Sequence, residues 1–281
     1  MSIENRYTQV QGISTRYWAE GRQGSDIVLV HGLGGYAENW AKNFEALAGF
    51  HRVHALDLPG HGLSGKPLDA PYTIDFFAEF VRDFMQTMGI ERAHLVGHSL
   101  GGAVTARFAA RFPEKVETLV LVSSAGLGKE VDFPTRLLTI PGVGERIMTP
   151  NRAGIRLFLK NLVYDPALVD DALIDLQVHM ALQPSAQTTL FKTLRAFSTF
   201  WGQKRPIYEA NIDSLTKLSL PLCLLWGRND PIVPVAHAHS LAQRIPDLPL
   251  KIFASCKHLP MMEHAQTFND TLQGWIATQS L

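Results

Sequence analysis

The stretch Leu95-Val96-Gly97-His98-Ser99-Leu100-Gly101-Gly102 constrains this chain more than any other. The apolar run Ala93 to Val96 reads as a buried strand, and Leu100 to Phe112 reads as a helix stopped at Pro113. Between them the chain has to reverse from strand to helix within about two residues. A turn that tight leaves no room for side chains two residues before and after its apex, where Gly97 and Gly101 stand. Gly102 lets the new helix pack closely, and the apex residue, Ser99, is pushed out of the sheet with its hydroxyl above the helix N-terminus. Gly-x-Ser-x-Gly also arises by chance in glycine-rich turns. A strand before it and a helix after it are the context in which the pattern carries chemistry.

Around this turn, strands and helices alternate. Residues 7–20 read as an edge hairpin about Gly12, and Asp26-Ile27-Val28-Leu29-Val30 as a doubly covered strand running into His31-Gly32-Leu33-Gly34-Gly35. A helix over 38–47 precedes a second buried strand, Val53 to Leu58, which ends in Pro59-Gly60-His61-Gly62-Leu63-Ser64. The spacing of Phe76, Phe77, Phe80, Val81 and Phe84 predicts a helix over 74–88. After the serine turn and its helix comes a strand over 116–122. This order predicts βαβ units and a mostly parallel sheet, with ligands bound outside the carboxyl ends of the strands. Ser99, His31-Gly32 and Asp57 fall at such ends, Asp57 reading as a structural residue that holds the Pro59–Ser64 loop.

From Leu127 to Ile212 the strand signals stop, and helix-like stretches over 152–163, 167–182 and 185–201 are punctuated by prolines. Sheet periodicity resumes over 220–227. We therefore expect an α/β core domain made of residues 1–126 and 213–281 and a helical cap domain of residues 127–212, lying over the serine turn as a lid. The last two strands end in Gly227-Arg228-Asn229-Asp230-Pro231 and Cys256-Lys257-His258, followed by a final helix over 263–277.

The chain has 281 residues, 46% of them hydrophobic, and no formal net charge. Such a chain can bury a sizeable core but offers no electrostatic footprint for nucleic acid or an anionic membrane. The N-terminus shows no apolar leader, and no run is long enough to span a bilayer. Cys223 and Cys256 read as reduced core residues without further metal ligands nearby. A cytoplasmic protein, monomer or homodimer, acting on a small molecule is the expectation.

These motifs together resemble the α/β-hydrolase superfamily over nearly the whole chain. The resemblance rests on His31-Gly32-Leu33-Gly34-Gly35, Asp57 to Ser64, Gly97 to Gly102, Trp226 to Pro234 and His258, in the family's order. It implies a mostly parallel eight-stranded sheet with helices on both faces, a helical cap insertion and a Ser99–His258–Asp230 triad. It also implies an oxyanion hole from the Leu33 and Leu100 N–H groups and no cofactor or metal. The chain is most similar to bacterial capped esterases and to the meta-cleavage C–C hydrolases. The latter usually carry Asn before the nucleophile, where this chain has His98.

In these roles Ser99 needs a base to become nucleophilic, His258 is placed to supply it, and Asp230 orients the imidazole. Asp230 could also cap a turn, but the alternative acid position holds only Ser123 and Ser124. His31, Gly32, His98, Phe158 and Trp201 are the candidate substrate-binding residues, His237 and His239 read as exposed helix residues, and Arg152, Arg156 and Arg195 are the arginines that could clamp a carboxylate. The expectation is a carboxylesterase acting through an acyl-enzyme. C–C cleavage of ring-fission products is the alternative, with perhydrolysis or acyl transfer behind it. A ligand-binding receptor on the same scaffold would have no need of an intact triad.

Overall fold

The computed structural model describes residues 3–279. Its main sheet has eight strands: β1 (Arg6–Val10), β2 (Ile13–Glu20), β3 (Asp26–Val30), β4 (Arg52–Leu56), β5 (Ala93–His98), β6 (Val116–Val122), β9 (Leu222–Gly227) and β10 (Leu250–Phe253). Their spatial order is β1-β2-β4-β3-β5-β6-β9-β10. The β1/β2 and β2/β4 pairs are antiparallel and all others parallel. Gln11 and Gly12 both take positive φ (51° and 75°), the backbone twist that a two-residue hairpin turn requires.

The continuous apolar strands are explained by two covered faces. Val28, Val30, Leu95, Leu119, Leu121, Leu224 and Trp226 join one core cluster, whereas Ile27, Leu29, Val96, Val120, Val122, Cys223 and Leu225 join the other. The first face is covered by α2 (Ile74–Thr87), α3 (Leu100–Arg111), α9 (Arg205–Leu215) and α10 (Ala236–Ala242). The second is covered by α1 (Ala41–Ala48), α11 (Pro260–Glu263) and α12 (Ala265–Gln279). The helix expected over 263–277 is α12, which starts two residues later after the separate short helix α11 and a break at His264.

Between β6 and β9 run α4 (Phe133–Leu138), α5 (Val143–Ile147), α6 (Arg152–Leu162), α7 (Asp171–Ala181) and α8 (Ala186–Phe197). A two-residue antiparallel pair, β7 (Ser198–Thr199) with β8 (Gly202–Gln203), follows, although no strand is expected there. The inserted helices straddle the sheet. Phe191, Leu194 and Phe197 of α8 belong to one core cluster, and Leu159, Leu162 and Ile174 of α6 and α7 to the other. Thr189 donates to the Gly60 carbonyl at 2.7 Å and Tyr36 to Gln177 at 3.1 Å, so α7 and α8 sit on the loops after β3 and β4. Ile212 and Leu215 of α9 are buried with the α3 side of the sheet, so the expected boundary at residue 212 falls inside a helix that packs on the core.

The turn at Ser99 owes its glycines to space, since neither Gly97, Gly101 nor Gly102 has positive φ. A Cβ on Gly101 would lie 2.6 Å from the His31 carbonyl oxygen and closer still to that of Val30. One on Gly97 would lie 2.7 Å from the Gly101 carbonyl carbon, and one on Gly102 2.6 Å from Ser124 Cβ. Gly101→Ala should therefore cost at least about 2 kcal/mol, because overpacking here meets backbone that cannot repack. Gly274 in α12 faces open space and is exposed, so Gly274→Ala should add about 0.5–1 kcal/mol of stability. Urea titrations of both variants test this, and a neutral Gly101→Ala would contradict the packing argument.

Candidate active site

Ser99 stands between β5 and α3 with φ 52° and ψ −116°, a conformation that costs a non-glycine residue about 1–3 kcal/mol. Four backbone hydrogen bonds hold it there. Its N–H donates to Val122 O at 3.0 Å, and its carbonyl accepts from Gly102, Ala103 and Ala125 at 3.0, 3.3 and 3.0 Å. Leu100 opens α3, so its N–H has no acceptor within the helix and is free to meet an anion. On the facing loop, a Cβ on Gly32 would lie 3.0 Å from Ser99 Cβ. The backbone carrying Leu33 therefore passes directly beside the serine, close enough that a side chain at position 32 would crowd Ser99 and His98.

Asp230 and His258 come from the ends of β9 and β10. The two loops interlock: Asn229 N–H donates to Cys256 O at 2.8 Å, and Gly227 is pressed against the Lys257 carbonyl so closely that no side chain fits. Asp230 fills both roles open to it. Its Oδ1 accepts from the Ile232 and Val233 N–H groups at 2.9 and 3.0 Å, closing the turn. Its Oδ2, fully buried, accepts from His258 Nδ1–H at 2.8 Å. That bond leaves His258 Nε2 without the proton, the tautomer a base needs.

His98 links the serine to this pair. Its Nε2–H donates to the His258 carbonyl at 2.8 Å and its ring lies 4.7 Å from the His258 ring. Of the other expected substrate-binding residues, Gly32 lies against Ser99, but His31 has no atom left for a ligand. Its Nδ1–H donates to Gly32 O at 2.7 Å and its Nε2 accepts from Leu58 N–H at 3.0 Å, in a fully buried setting. Its hydrogen bonds tie the Gly32 loop to the strand-end loop at Leu58. Trp201 lies at the tip of the β7/β8 pair, 72% exposed, beside Phe200, Lys129 and Arg205, and Phe158 is half-exposed on α6. The Phe200 ring and the groove residues that Trp201 meets lie on the outer face of the insertion. His237 is buried, not exposed as expected, and bonds Glu130 at 3.0 Å, whereas His239 is exposed.

Glu263 was not singled out from the sequence. Its carboxylate accepts from Lys257 N–H at 2.8 Å, Leu259 N–H at 3.4 Å and the Tyr164 N–H after α6. It thereby fixes the His258 loop and ties it to the insertion. A Glu five residues after a candidate base, at a helix start, is the signal that could have marked it. Asp57 is structural as expected, accepting from Ala37 and Leu63 N–H at 2.7 and 2.8 Å. Its ion pair with the wholly buried Arg16, at 3.4 Å, has no signature in the local sequence.

None of the three insertion arginines is free to clamp a carboxylate. Arg152 pairs with Asp171 and Asp175, Arg156 with Asp171 at 2.8 Å, and Arg195 grips Glu145 through two bonds of 2.7 and 2.9 Å. What α7 presents to the Gly32–Gly35 loop is a neutral amide, Gln177, 3.5 Å from Gly34 O. Among the described residues no cluster of three His, Cys, Asp or Glu could hold a metal ion. Both cysteines are free and buried, burial raising the Cys223 thiol to about 12.

A model of the alpha/beta hydrolase fold matches residues 27–151. The 2-hydroxymuconate semialdehyde hydrolase of Pseudomonas sp. strain CF600 is 31% identical over 271 residues, covering 95% of this chain and 91% of that protein. The chain belongs to the α/β-hydrolase family. A second relative of this hydrolase is the dihydrolipoyllysine-residue acetyltransferase component of the acetoin cleaving system of Cupriavidus necator, 33% identical over 269 residues, 95% of this chain and 68% of that one. Among solved structures, a meta-cleavage product hydrolase from Pseudomonas fluorescens superposes with a TM-score of 0.83 at 27% identity, over 98% of both chains.

Burial gives the hydrolase a pH profile. It holds His31 and His98 well below the ordinary histidine range and lowers His61 and His94 to about 4. His31 is lowered further by His61, and His98 by His258. The unfolded chain takes up these protons near pH 6.5 and the folded chain does not, so stability falls as pH drops from about 6.5 toward 4. Asp57 works the other way, since burial raises it to about 6 and the folded state gains its proton first. Burial also lowers His51 and His54 and raises Asp132. With six histidines against two aspartates, urea titrations should show a net loss approaching about 1.4 kcal/mol per uncompensated proton per pH unit between pH 6 and 5. A flat profile there would show that these imidazoles are solvated.

Proposed function

We propose that this hydrolase cleaves neutral carboxylic esters through a covalent acyl intermediate on Ser99. His258 Nε2 takes the Ser99 proton and passes it to the leaving alkoxide, with Asp230 stabilising the imidazolium. The Leu33 and Leu100 N–H groups receive the oxyanion. Water then attacks the acyl-enzyme by the same route. The observation that carries the ester reading is the pairing of Arg152, Arg156 and Arg195 with carboxylates of the insertion itself, which leaves the neutral Gln177 facing the loop that carries Leu33.

A second reading has independent support. Ring-fission C–C hydrolases recur among both the relatives and the solved structures, and the comparisons favour C–C cleavage over ester cleavage. The same nucleophile, base and oxyanion donors would serve a ketone whose carbon–carbon bond breaks. The difference lies in binding, because a dienoate brings a carboxylate that needs a cationic or strongly donating partner. Acyl transfer to an acceptor other than water requires only that the acceptor reach the acyl-enzyme.

A fluorophosphonate should label Ser99 once per chain and leave Ser99→Ala unlabelled, as mass spectrometry of the adduct would show. Asp230→Asn should keep the fold and lower kcat roughly 10³–10⁴-fold through the wrong His258 tautomer. An adduct on another serine, or near-normal turnover by Asp230→Asn, would refute these roles.

A kinetic panel separates the two substrate classes. Short to medium aryl esters should exceed any ring-fission dienoate in kcat/KM by at least ~10²-fold, or ~2.7 kcal/mol of transition-state discrimination. Dienoates turned over faster than esters would establish the C–C reading.

A further inference from the structure

Charge sums to zero over the chain, but it is not evenly spread, and neither is exposed apolar surface. Phe133, Ile147, Leu157, Tyr164, Leu182 and Trp201, all in the inserted segment, are among the most exposed large apolar side chains of the molecule. Three of its aromatic rings form a continuous ridge. Phe133 and Phe200 meet edge to face at 6.2 Å, and Phe200 and Trp201 at 5.4 Å. Arg136 staples the ridge from beneath. Its guanidinium lies 5.9 Å from the Phe133 ring centre and 5.3 Å from that of Phe200, while its Nε–H donates to the Phe200 carbonyl at 2.6 Å. The ridge is therefore held rigid while Phe133 and Trp201 remain 57% and 72% exposed. Apolar surface that is both exposed and pre-ordered marks a docking site more than a packing leftover.

The chemistry beside the ridge selects the partner. A groove of about 650 Å³ runs along its foot, lined by Lys129, Lys204, Arg205 and Tyr208 as well as Trp201. Among the described residues Lys129 and Lys204 make no ion pair within 4.0 Å; Glu209 is held by Arg205, and Glu130 is hydrogen-bonded to His237 and lowered in part by the Lys129 charge. Protruding Trp and Phe rings with lysines at their base match the lipid–water interface, where aromatic rings enter the headgroup boundary and cations meet phosphate. We propose that the Phe133–Phe200–Trp201 ridge docks the hydrolase on an anionic phospholipid surface, with headgroup phosphates seated between Lys129 and Lys204. Among the described residues no helix is long and apolar enough to cross a membrane, and docking of this kind needs none. This association does not depend on the ester reading, since it is measured as binding and not as turnover.

The test is co-sedimentation of the full chain with unilamellar vesicles of phosphatidylcholine alone or of equal parts phosphatidylcholine and phosphatidylglycerol, at low and raised salt. Binding to the anionic vesicles, weakened by salt and at least about tenfold weaker on phosphatidylcholine alone, is expected. Lys129→Glu with Lys204→Glu should weaken it at least about tenfold and leave the turnover of a soluble aryl ester unchanged. Phe133→Ser with Trp201→Ser should abolish it, with an unchanged thermal melt showing that the fold is intact. Absence of vesicle binding, equal binding to neutral vesicles, or binding indifferent to these substitutions would overturn the proposal. So would a wild-type dimer that sedimentation shows to be lost on removing the two aromatic rings, since the ridge would then be covered by a second copy of the chain.

Discussion

The contact on which the rest of this molecule depends is the approach of Gly101 to the Val30 and His31 carbonyls. There, a helix turn lies on the end of the neighbouring strand with no side chain between them. It brings the start of α3 next to the Gly32 loop, so that the two backbones bearing Leu33 and Leu100 meet at the serine. Beside it Ser99 takes a strained positive-φ conformation that four backbone hydrogen bonds sustain. Strain and proximity meet at one turn. Sheet, helix and candidate nucleophile are thereby fixed together.

A second close approach does the same for the base. Gly227 against the Lys257 carbonyl locks the loop after β9 to the loop after β10, and Asp230 and His258 face each other across that junction. His98 and Glu263 then hold the His258 backbone from two sides, one from the strand that bears the serine and one from the helix that follows. The site is thus built from backbone contacts at strand ends, with side chains used chiefly as pins. This is why its parts come from positions as far apart in the chain as 32, 99, 230 and 258.

The inserted helices contribute a different physics. Their apolar residues divide between two core clusters on opposite faces of the sheet, so the segment is anchored on both sides and spans the strand ends. Arg152, Arg156 and Arg195 are consumed by its own carboxylates, and its outer face keeps aromatic rings in the open. The insertion therefore bears on function through what it covers, the loops at Gly34 and Gly60, and through what it displays.

How far the sequence alone reached follows from which features are local. Strand and helix alternation, the tight turn at Ser99 and the hairpin at Gly12 are all written in neighbouring residues. Apolar spacing and glycine placement act over a few positions, so these were legible. The tertiary structure alone decided what depends on partners distant in the chain. It buried Arg16 beside Asp57, consumed both nitrogens of His31, turned His237 inward to Glu130, and recruited Glu263 to the His258 loop. It also decided that Trp201 lies on an outer ridge and that three arginines are neutralised by nearby acids. In each case the residue type permits several environments, and the one adopted is set by which long-range contact satisfies a buried charge or hydrogen bond.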